Sequence, residues 1–501
     1  MVAGLVVRLI VAHQSLFADE LSTYWIVATH SFSGVISLMY GTSHIPHAEI
    51  TPPMIFLLSW LTAQISHSPE LLRAPSLVAG TLTIPVIYVL GLRTVGRPAA
   101  LLAAALTTLS PFMIYYSAEA RSYAVMMLLT TLAMLAMLLA LDTRRTRWWV
   151  VYAVCSCGAF YTHYTSAFVL LAQLVWLLWV HPAARRPALL ANLAAAAGVL
   201  PWVPGLINDL KSPTTQILSA LSPFTVHDVQ LSLTHWAIGF PYVEAGGLSR
   251  LPGKPALVLL GLAAIIVVAG IAAGIRRLGA KEWLGQFDRR VLLVFGLAMS
   301  VPIGEAVVSA VSTHLFGVRN LAASWPALSL SCSVLITAAG SRLRLVAAGL
   351  AIVALALGAS KLLTVHFERT DFRAAADFIA RHARPGDVVI DGTGVLSPGP
   401  LTGLDLVLHA PVKVFRAGAP DERDHPFGFL DPIPSSATAT ARAIAAAPGG
   451  RVIVVEDTPV GQARAPLIPF PSRYQLVQTR VYPQFVGLTI DVWDPRSQTG
   501  R

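Results

Sequence analysis

Two adjacent carboxylates, Asp19-Glu20, sit between a first apolar stretch (Met1 to Phe17) and a loop that ends in Thr51-Pro52-Pro53. Beyond that loop the chain runs mostly as apolar segments of membrane length. Carboxylates are expensive near a bilayer and persist where they do chemistry, bind ions or face water. One of the pair can act as general base on a hydroxyl while the other binds a cation or orients the site. The plainer alternative is a solvated helix start, where acids complement the first turn.

Four further groups carry chemistry-bearing side chains. In Tyr115-Tyr116-Ser117-Ala118-Glu119-Ala120-Arg121-Ser122-Tyr123, Arg121 offers a forked donor for a phosphate, and Glu119 can pair with it or assist catalysis. The alternative there is an internal ion pair among interfacial tyrosines. His47-Ala48-Glu49-Ile50-Thr51-Pro52-Pro53 offers His47 and Glu49 as ligands, or simply a rigid turn. Tyr161-Thr162-His163-Tyr164 and Phe316-Gly317-Val318-Arg319-Asn320 each stand at a helix end. There His163 and Tyr164 could touch a substrate, and Arg319 a phosphate. Glu305 lies late in an apolar span with no evident partner.

These residues need a scaffold, and the composition says which kind. Of 501 residues 55% are hydrophobic and 12% charged, with a mean hydropathy of +0.65, which excludes an ordinary soluble domain. Spans of about 20 residues match a hydrocarbon core of roughly 30 Å. Eleven are expected, near 1–17, 71–92, 99–116, 121–141, 148–161, 164–180, 188–207, 255–275, 291–313, 320–339 and 345–364. The segment 52–66 is too short to cross comfortably and is expected to lie in the interface, inside a first outer loop of residues 18–70. The first segment carries Arg8 at its middle and lacks a small-residue cleavage site, so it reads as a short signal anchor.

Charge tests this topology. Residues 366–501 hold 14 basic and 14 acidic side chains, so the other 22 basic and 12 acidic residues account for the net charge of +10. That excess reflects topology, not nucleic-acid binding. With the N-terminus cytoplasmic, 14 of those 22 fall in inner loops, among them Arg93, Arg97, Arg144, Arg145, Arg147, Arg289 and Arg290. If 52–66 crossed the membrane, every later loop would flip and these arginines would face outward. The outer side then collects Asp19, Glu20, Glu49, Glu119, Asp209, a long loop (208–254) and the C-terminal tail. Cys155, Cys157 and Cys332 lie in apolar runs and read as small buried hydrophobes.

The tail, 366–501, reads as a separate small α/β domain following a membrane domain of 1–365. Helices are expected over 371–383 and 438–447, strands over 388–390 and 451–455, and a hairpin of 475–482 with 486–492. Gly392–Gly403 is rich in Gly and Pro but fits no phosphate-binding fingerprint, so it reads as a loop.

The Asp-Glu pair after the first span, the Pro-Pro segment, Leu72-Arg73-Ala74-Pro75-Ser76-Leu77, Tyr116–Tyr123 and Tyr161–Tyr164 together resemble the bacterial GT-C superfamily. Within it the chain is similar to polyprenyl-phosphate-sugar-dependent glycosyltransferases, grouped with lipopolysaccharide galacturonosyltransferases and protein O-mannosyltransferases. Asp371-Phe372-Arg373 resembles the helix that opens the soluble domain of such proteins. The resemblance implies an α-helical polytopic membrane protein with a small extracytoplasmic α/β domain. It also implies transfer, with inversion, of a sugar from a polyprenyl-phosphate donor to a hydroxyl of a lipid, glycan or protein outside the cytoplasmic membrane. Asp19 matches the first-loop base and Glu20 completes that motif. Glu119, Arg121 and Tyr123 match the second motif, expected at acceptor or carrier phosphate. Relatives often carry His before the Pro-Pro pair, where Thr51 stands here. A divalent cation (Mg, Mn or Zn) at Asp19, Glu20 and Glu49 is the cofactor the family leaves room for. The competing readings are a lipid-linked sugar flippase and a non-catalytic envelope-assembly subunit. Against the flippase, the ionisable groups cluster on one face and no paired broken helices recur.

Overall fold

The structure is a computed structural model that describes residues 1–43, 49–221, 224–239, 253–340, 342–396, 400–418, 433–459, 468 and 470–496. Among them, seven helices are long and apolar enough to span a membrane, or eight if the bent pair Arg97–Leu109 and Pro111–Ser117 counts as one span. The other three expected spans do form helices, but short ones: Val2–Ala12, Thr146–Thr162 and Ser166–Val180. The expected interfacial segment is the ten-residue helix Met54–Ala63, well under spanning length.

The bend at Pro111 explains the charge in the first helix. Proline has no N–H, so the carbonyl of Thr107 loses its helical partner, and the axis turns by 60°. Arg8, fully buried, supplies the missing donors. It bonds the carbonyl oxygens of Thr107 at 3.1 Å and Thr108 at 3.4 Å, that of Gly4 at 3.0 Å, and Ser117 Oγ at 3.0 Å. Among the described residues this guanidinium has no carboxylate partner and is satisfied by the negative end of a helix. Close packing holds the far side of the bend. A Cβ on Gly80 would fall 1.9 Å from Ser117 Oγ, so only glycine admits this crossing.

At one end of the bundle, Arg93 donates to Asp142 at 3.0 Å. Arg290 bonds the same carboxylate and, at 3.1 Å, the carbonyl of Arg93. Three loops that the charge pattern assigns to one face therefore do meet. The described part of the long loop expected over 208–254 is instead largely helical: Val203–Lys211, Thr214–Leu221 and Val226–Ile238. Ser212-Pro213 and the Thr225 cap, whose hydroxyl accepts from Asp228 N at 3.2 Å, divide these helices. Helical periodicity there is broken every eight to thirteen residues, which conceals it.

The tail holds a five-stranded sheet of β1 (Val388–Gly392), β2 (Lys413–Arg416), β3 (Val452–Pro459), β4 (Tyr474–Tyr482) and β5 (Val486–Pro495), in the order β2-β1-β3-β5-β4. The first three are parallel, and β5 pairs antiparallel with β3 and β4. Helices Phe372–His382 and Ser436–Ala446 fall where expected. Four-residue β2 is new; it is too short and too mixed to stand out by alternation. In the Gly/Pro-rich segment, Asp391 accepts from the hydroxyls of Thr393 and Thr402, each at 2.6 Å, which folds the chain back over β1.

The tail is locked to the bundle. Arg369 N donates to Gln14 Oε1 at 3.1 Å. Within the tail its neighbours are held to the β4–β5 hairpin by Phe485 N, which donates to the Glu368 carbonyl at 3.1 Å, and by Thr370 Oγ1, which donates to the Val486 carbonyl at 2.8 Å. Arg369, between them, reaches into the helical body.

Candidate active site

Helix Asp19–Thr29 begins at the first acid, and the turn before it is strained. Ala18 takes φ +50° and ψ −123°, a conformation rare for any residue with a Cβ. The two acids then part. Asp19 stays partly open, with 31% of its side chain exposed. Its Oδ2 receives one bond, from Arg319 Nη1 at 2.5 Å, and Arg319 is itself 40% exposed. Glu20 is closed, at 1% exposure. It takes Arg73 as a fork, Nε to Oε1 and Nη2 to Oε2 both at 2.7 Å, and Ala120 N at 2.8 Å, with Arg369 Nε 3.6 Å away. Arg73 in turn donates to the carbonyls of Ala12, Gln14 and Ser15 at 2.6–2.9 Å.

Glu49 and Arg121 form a third pair. Arg121 Nη1 reaches Glu49 Oε2 at 2.5 Å, Nη2 reaches Oε1 at 3.0 Å and Thr51 Oγ1 at 3.1 Å, and Thr23 Oγ1 stands 3.4 Å from Nη1. Of the two roles the sequence offers Glu119, pairing with Arg121 is not observed. The tight turn at 118–122, closed by Arg121 N on the Glu119 carbonyl at 2.8 Å, keeps the two side chains apart. Glu119 is buried, and its Oε2 has no hydrogen-bond partner.

Asp19, Glu49, Arg121, Tyr123, His163, Tyr164 and Arg319 line one cavity of about 410 Å³, together with Thr51 and Glu305. Five helix ends or loops, separated by up to 300 residues, and the body of one further helix thus converge. Glu20 and Glu119 stand behind the wall. Tyr123 packs its ring on Tyr116 and His163, with centroids 4.6 and 5.5 Å apart. Thr165 N donates to His163 Nδ1 at 3.3 Å, which leaves Nε2–H as that ring's donor. The Tyr164 hydroxyl is already committed: it donates to Asp209 and accepts from Trp202 Nε1 at 3.0 Å. Only its ring is offered to the cavity. His47 lies outside the described residues.

The charges are tuned by these partners. Burial pushes the Asp19 carboxyl up, but Arg319 and Arg121 outweigh it and hold the group below its ordinary value. Glu49 is held low the same way, burial being outweighed by Arg121. Glu119 goes the other way: burial, then the charges of Glu20 and Asp19, push it up to about 8 despite Arg369. His163 is pushed down to about 3 by burial and then by Arg121 and Arg319, so it is neutral at physiological pH.

The carboxylates do not suit the expected cation. Asp19, Glu20 and Glu49 each face a different arginine, and among the described residues no three His, Cys, Asp or Glu side chains come together as a ligand set. Sequence reasoning also missed two residues that build the site. Arg73 lies inside an apolar helix, where an arginine demands a partner; that was the available signal. Arg369 stands on the Tyr115 ring at 4.8 Å and donates to the Ala118 carbonyl at 2.8 Å, so the tail buttresses the 118–122 turn.

Residues 50–206 match the family model described as dolichyl-phosphate-mannose-protein mannosyltransferase. That segment carries Arg73, Glu119, Arg121, Tyr123 and His163, but not Asp19 or Arg319. No curated protein matches the chain by sequence. Among solved structures, ArnT from Cupriavidus metallidurans bound to undecaprenyl phosphate superimposes with a TM-score of 0.52 at 14% identity, covering 99% of this chain and 98% of that one. The apo state of the same protein gives 0.50 at 14% identity, with 97% and 96% covered. Likeness at this identity speaks for fold, and it runs nearly end to end: the chain is a multi-span membrane protein with the GT-C architecture of the glycosyltransferase superfamily that its motifs resemble.

Proposed function

We propose that this chain transfers a sugar from a polyprenyl-phosphate donor to an acceptor hydroxyl, with Asp19 as general base, at the extracytoplasmic face of the membrane. The observation that carries the reading is the accessible Asp19–Arg319 pair in a polar cavity that abuts an apolar one. Thr51 and Pro52 line the first; Pro53 and Met54, the next residues, line a second cavity of about 1070 Å³ walled by Leu57, Val125, Trp149 and Leu190. An isoprenoid chain suits the apolar cavity, and its phosphate would then stand at the polar one.

The charges suggest how the step runs. Arg319 is the exposed guanidinium, so a phosphate can draw it from Asp19. Arg121, held through both Nη groups by Glu49, Thr51 and Thr23, keeps fixed positive charge at the site. Losing Arg319 raises the basicity of Asp19 just as donor binds. The acceptor oxygen attacks the anomeric carbon, its proton passes to Asp19, and the carbon–phosphate-oxygen bond breaks with the electron pair leaving on the phosphate. In-line attack inverts the centre. Glu20 acts as a positioning residue, holding the helix start to the 118–122 turn through Ala120 N and Arg73. Neutral His163 can donate from Nε2 to substrate oxygen. The exterior placement rests on the arginine-rich loops meeting at the opposite end, around Asp142.

Supplying reconstituted protein with radiolabelled undecaprenyl-phosphate sugar and a membrane-envelope extract tests this. Transfer releases undecaprenyl phosphate and labels a new product; movement of intact lipid between leaflets with no release would instead support a flippase. Cysteine labelling from outside intact cells should reach position 19 and not position 144.

A further inference from the structure

Glu305 is an anomaly the proposed reaction does not use. It sits in the helix Arg289–Val311, six residues from its end and hence about 9 Å inside it. It is 4% exposed. Asn320, next to Arg319, lines the same cavity as Glu305, whose Oε2 has no hydrogen-bond partner among the described residues. Asn320 Nδ2 is meanwhile engaged with the Leu315 carbonyl at 2.5 Å. Leaving half of a buried carboxyl without a hydrogen-bond partner is costly, so packing alone does not account for it.

The surroundings make the position deliberate. Pro302 interrupts the backbone ladder one turn earlier, and Gly304 admits the Phe168 ring so closely that a Cβ would lie 2.2 Å from it. Phe168, Glu305, Val308 and Asn320 all line the cavity that holds Asp19 and Arg319. The guanidinium groups of Arg121 and Arg319 and the buried carboxyl of Glu305 thus share one cavity.

Resting on the transferase reading, we infer that Glu305 and Asn320 form the subsite that reads a hydrogen-bond donor, hydroxyl or ammonium, on the donor's sugar. The phosphate occupies the arginine end and the sugar lies toward Glu305. Discrimination of this kind is strong because a sugar lacking the group leaves the buried acceptor unpaired.

The test uses full-length protein in lipid nanodiscs and three probes: undecaprenyl phosphate and its glucosyl and glucosaminyl derivatives. Wild type should bind at least one glycosylated probe tenfold or more tighter than the bare lipid, a gain of about 1.4 kcal/mol. In Glu305→Ala that gain should vanish while affinity for the bare lipid is unchanged. Melting temperature should hold or rise, because an unsatisfied buried acid is removed. Retention of the gain in Glu305→Gln identifies a hydroxyl as the group read; equal loss in both variants identifies an ammonium. A gain that survives Glu305→Ala, or no gain in wild type with either sugar, overturns the subsite. Failure of wild type to bind even the bare lipid overturns the transferase reading instead.

Discussion

Asp19 and Glu20 are neighbours with opposite environments. Asp19 keeps one contact, to a guanidinium that is 40% exposed. Glu20 is enclosed by Arg73, Ala120 N and Arg369, all buried. Consecutive residues at a helix start point about 100° apart, so one faces the cavity and the other the packed junction of first helix, second motif and tail. Chemistry needs a group that can exchange partners, whereas architecture needs one that cannot. The motif therefore reads as two devices: a movable pair for the reaction and a fixed cluster that aims it.

Separating the two devices by mutation gives the largest expected effects. Asp19→Asn should cut turnover by about 10²–10⁴, the span typical of a lost general base, with unchanged melting temperature. Glu20→Ala should instead unfold or strongly destabilise the protein, by about 3–5 kcal/mol, because Arg73 is left buried and unpaired; thermal melts in detergent decide this. If Glu20→Ala were stable and merely slow, the fixed-cluster account would fail.

Next comes Arg319→Lys. It keeps the charge but loses the planar fork, and should raise KM for the lipid donor about tenfold with little change in stability. Equal loss of melting temperature and activity would make Arg319 part of the framework. Arg369→Gln should lower kcat several-fold while leaving donor KM nearly unchanged, because it frees the 118–122 turn without touching the cavity. Steady-state kinetics distinguish that from a loss of donor binding.

A pH-dependent effect concerns Glu119. Its folded-state pKa lies near 8, well above the unfolded carboxyl value, so the folded protein binds the extra proton. Stability should then fall as pH rises from about 4.5 to about 8 and level off beyond. Glu119→Gln should remove that slope and melt higher than wild type at pH 8. A slope that persists in the variant would assign it to another group.

Much of this was readable from residue types. Asp19, Arg121, Tyr123, His163 and Arg319 line one cavity, and the charge asymmetry of the sequence assigns their helix ends to one face. What stayed hidden was pairing. Arg121 had an acid two residues away, but its partner is Glu49, 72 positions distant, because a tight turn separates near neighbours while the bundle joins far ones. Residue type does not distinguish Glu20 from Asp19, whereas the buried guanidinium groups of Arg73 and Arg369 around Glu20 do. In the fold, long apolar helices were legible, whereas the short helices over 203–238 and strand β2 were not, since periodicity needs length to show.

The most direct measurement is single-turnover transfer from radiolabelled undecaprenyl-phosphate sugar by Asp19→Asn beside wild type, both checked for equal melting temperature and equal donor binding. The movable-pair account predicts intact binding with transfer reduced at least a hundredfold. Transfer within twofold of wild type would show that the reacting proton goes elsewhere, and Asp19 would lose its role.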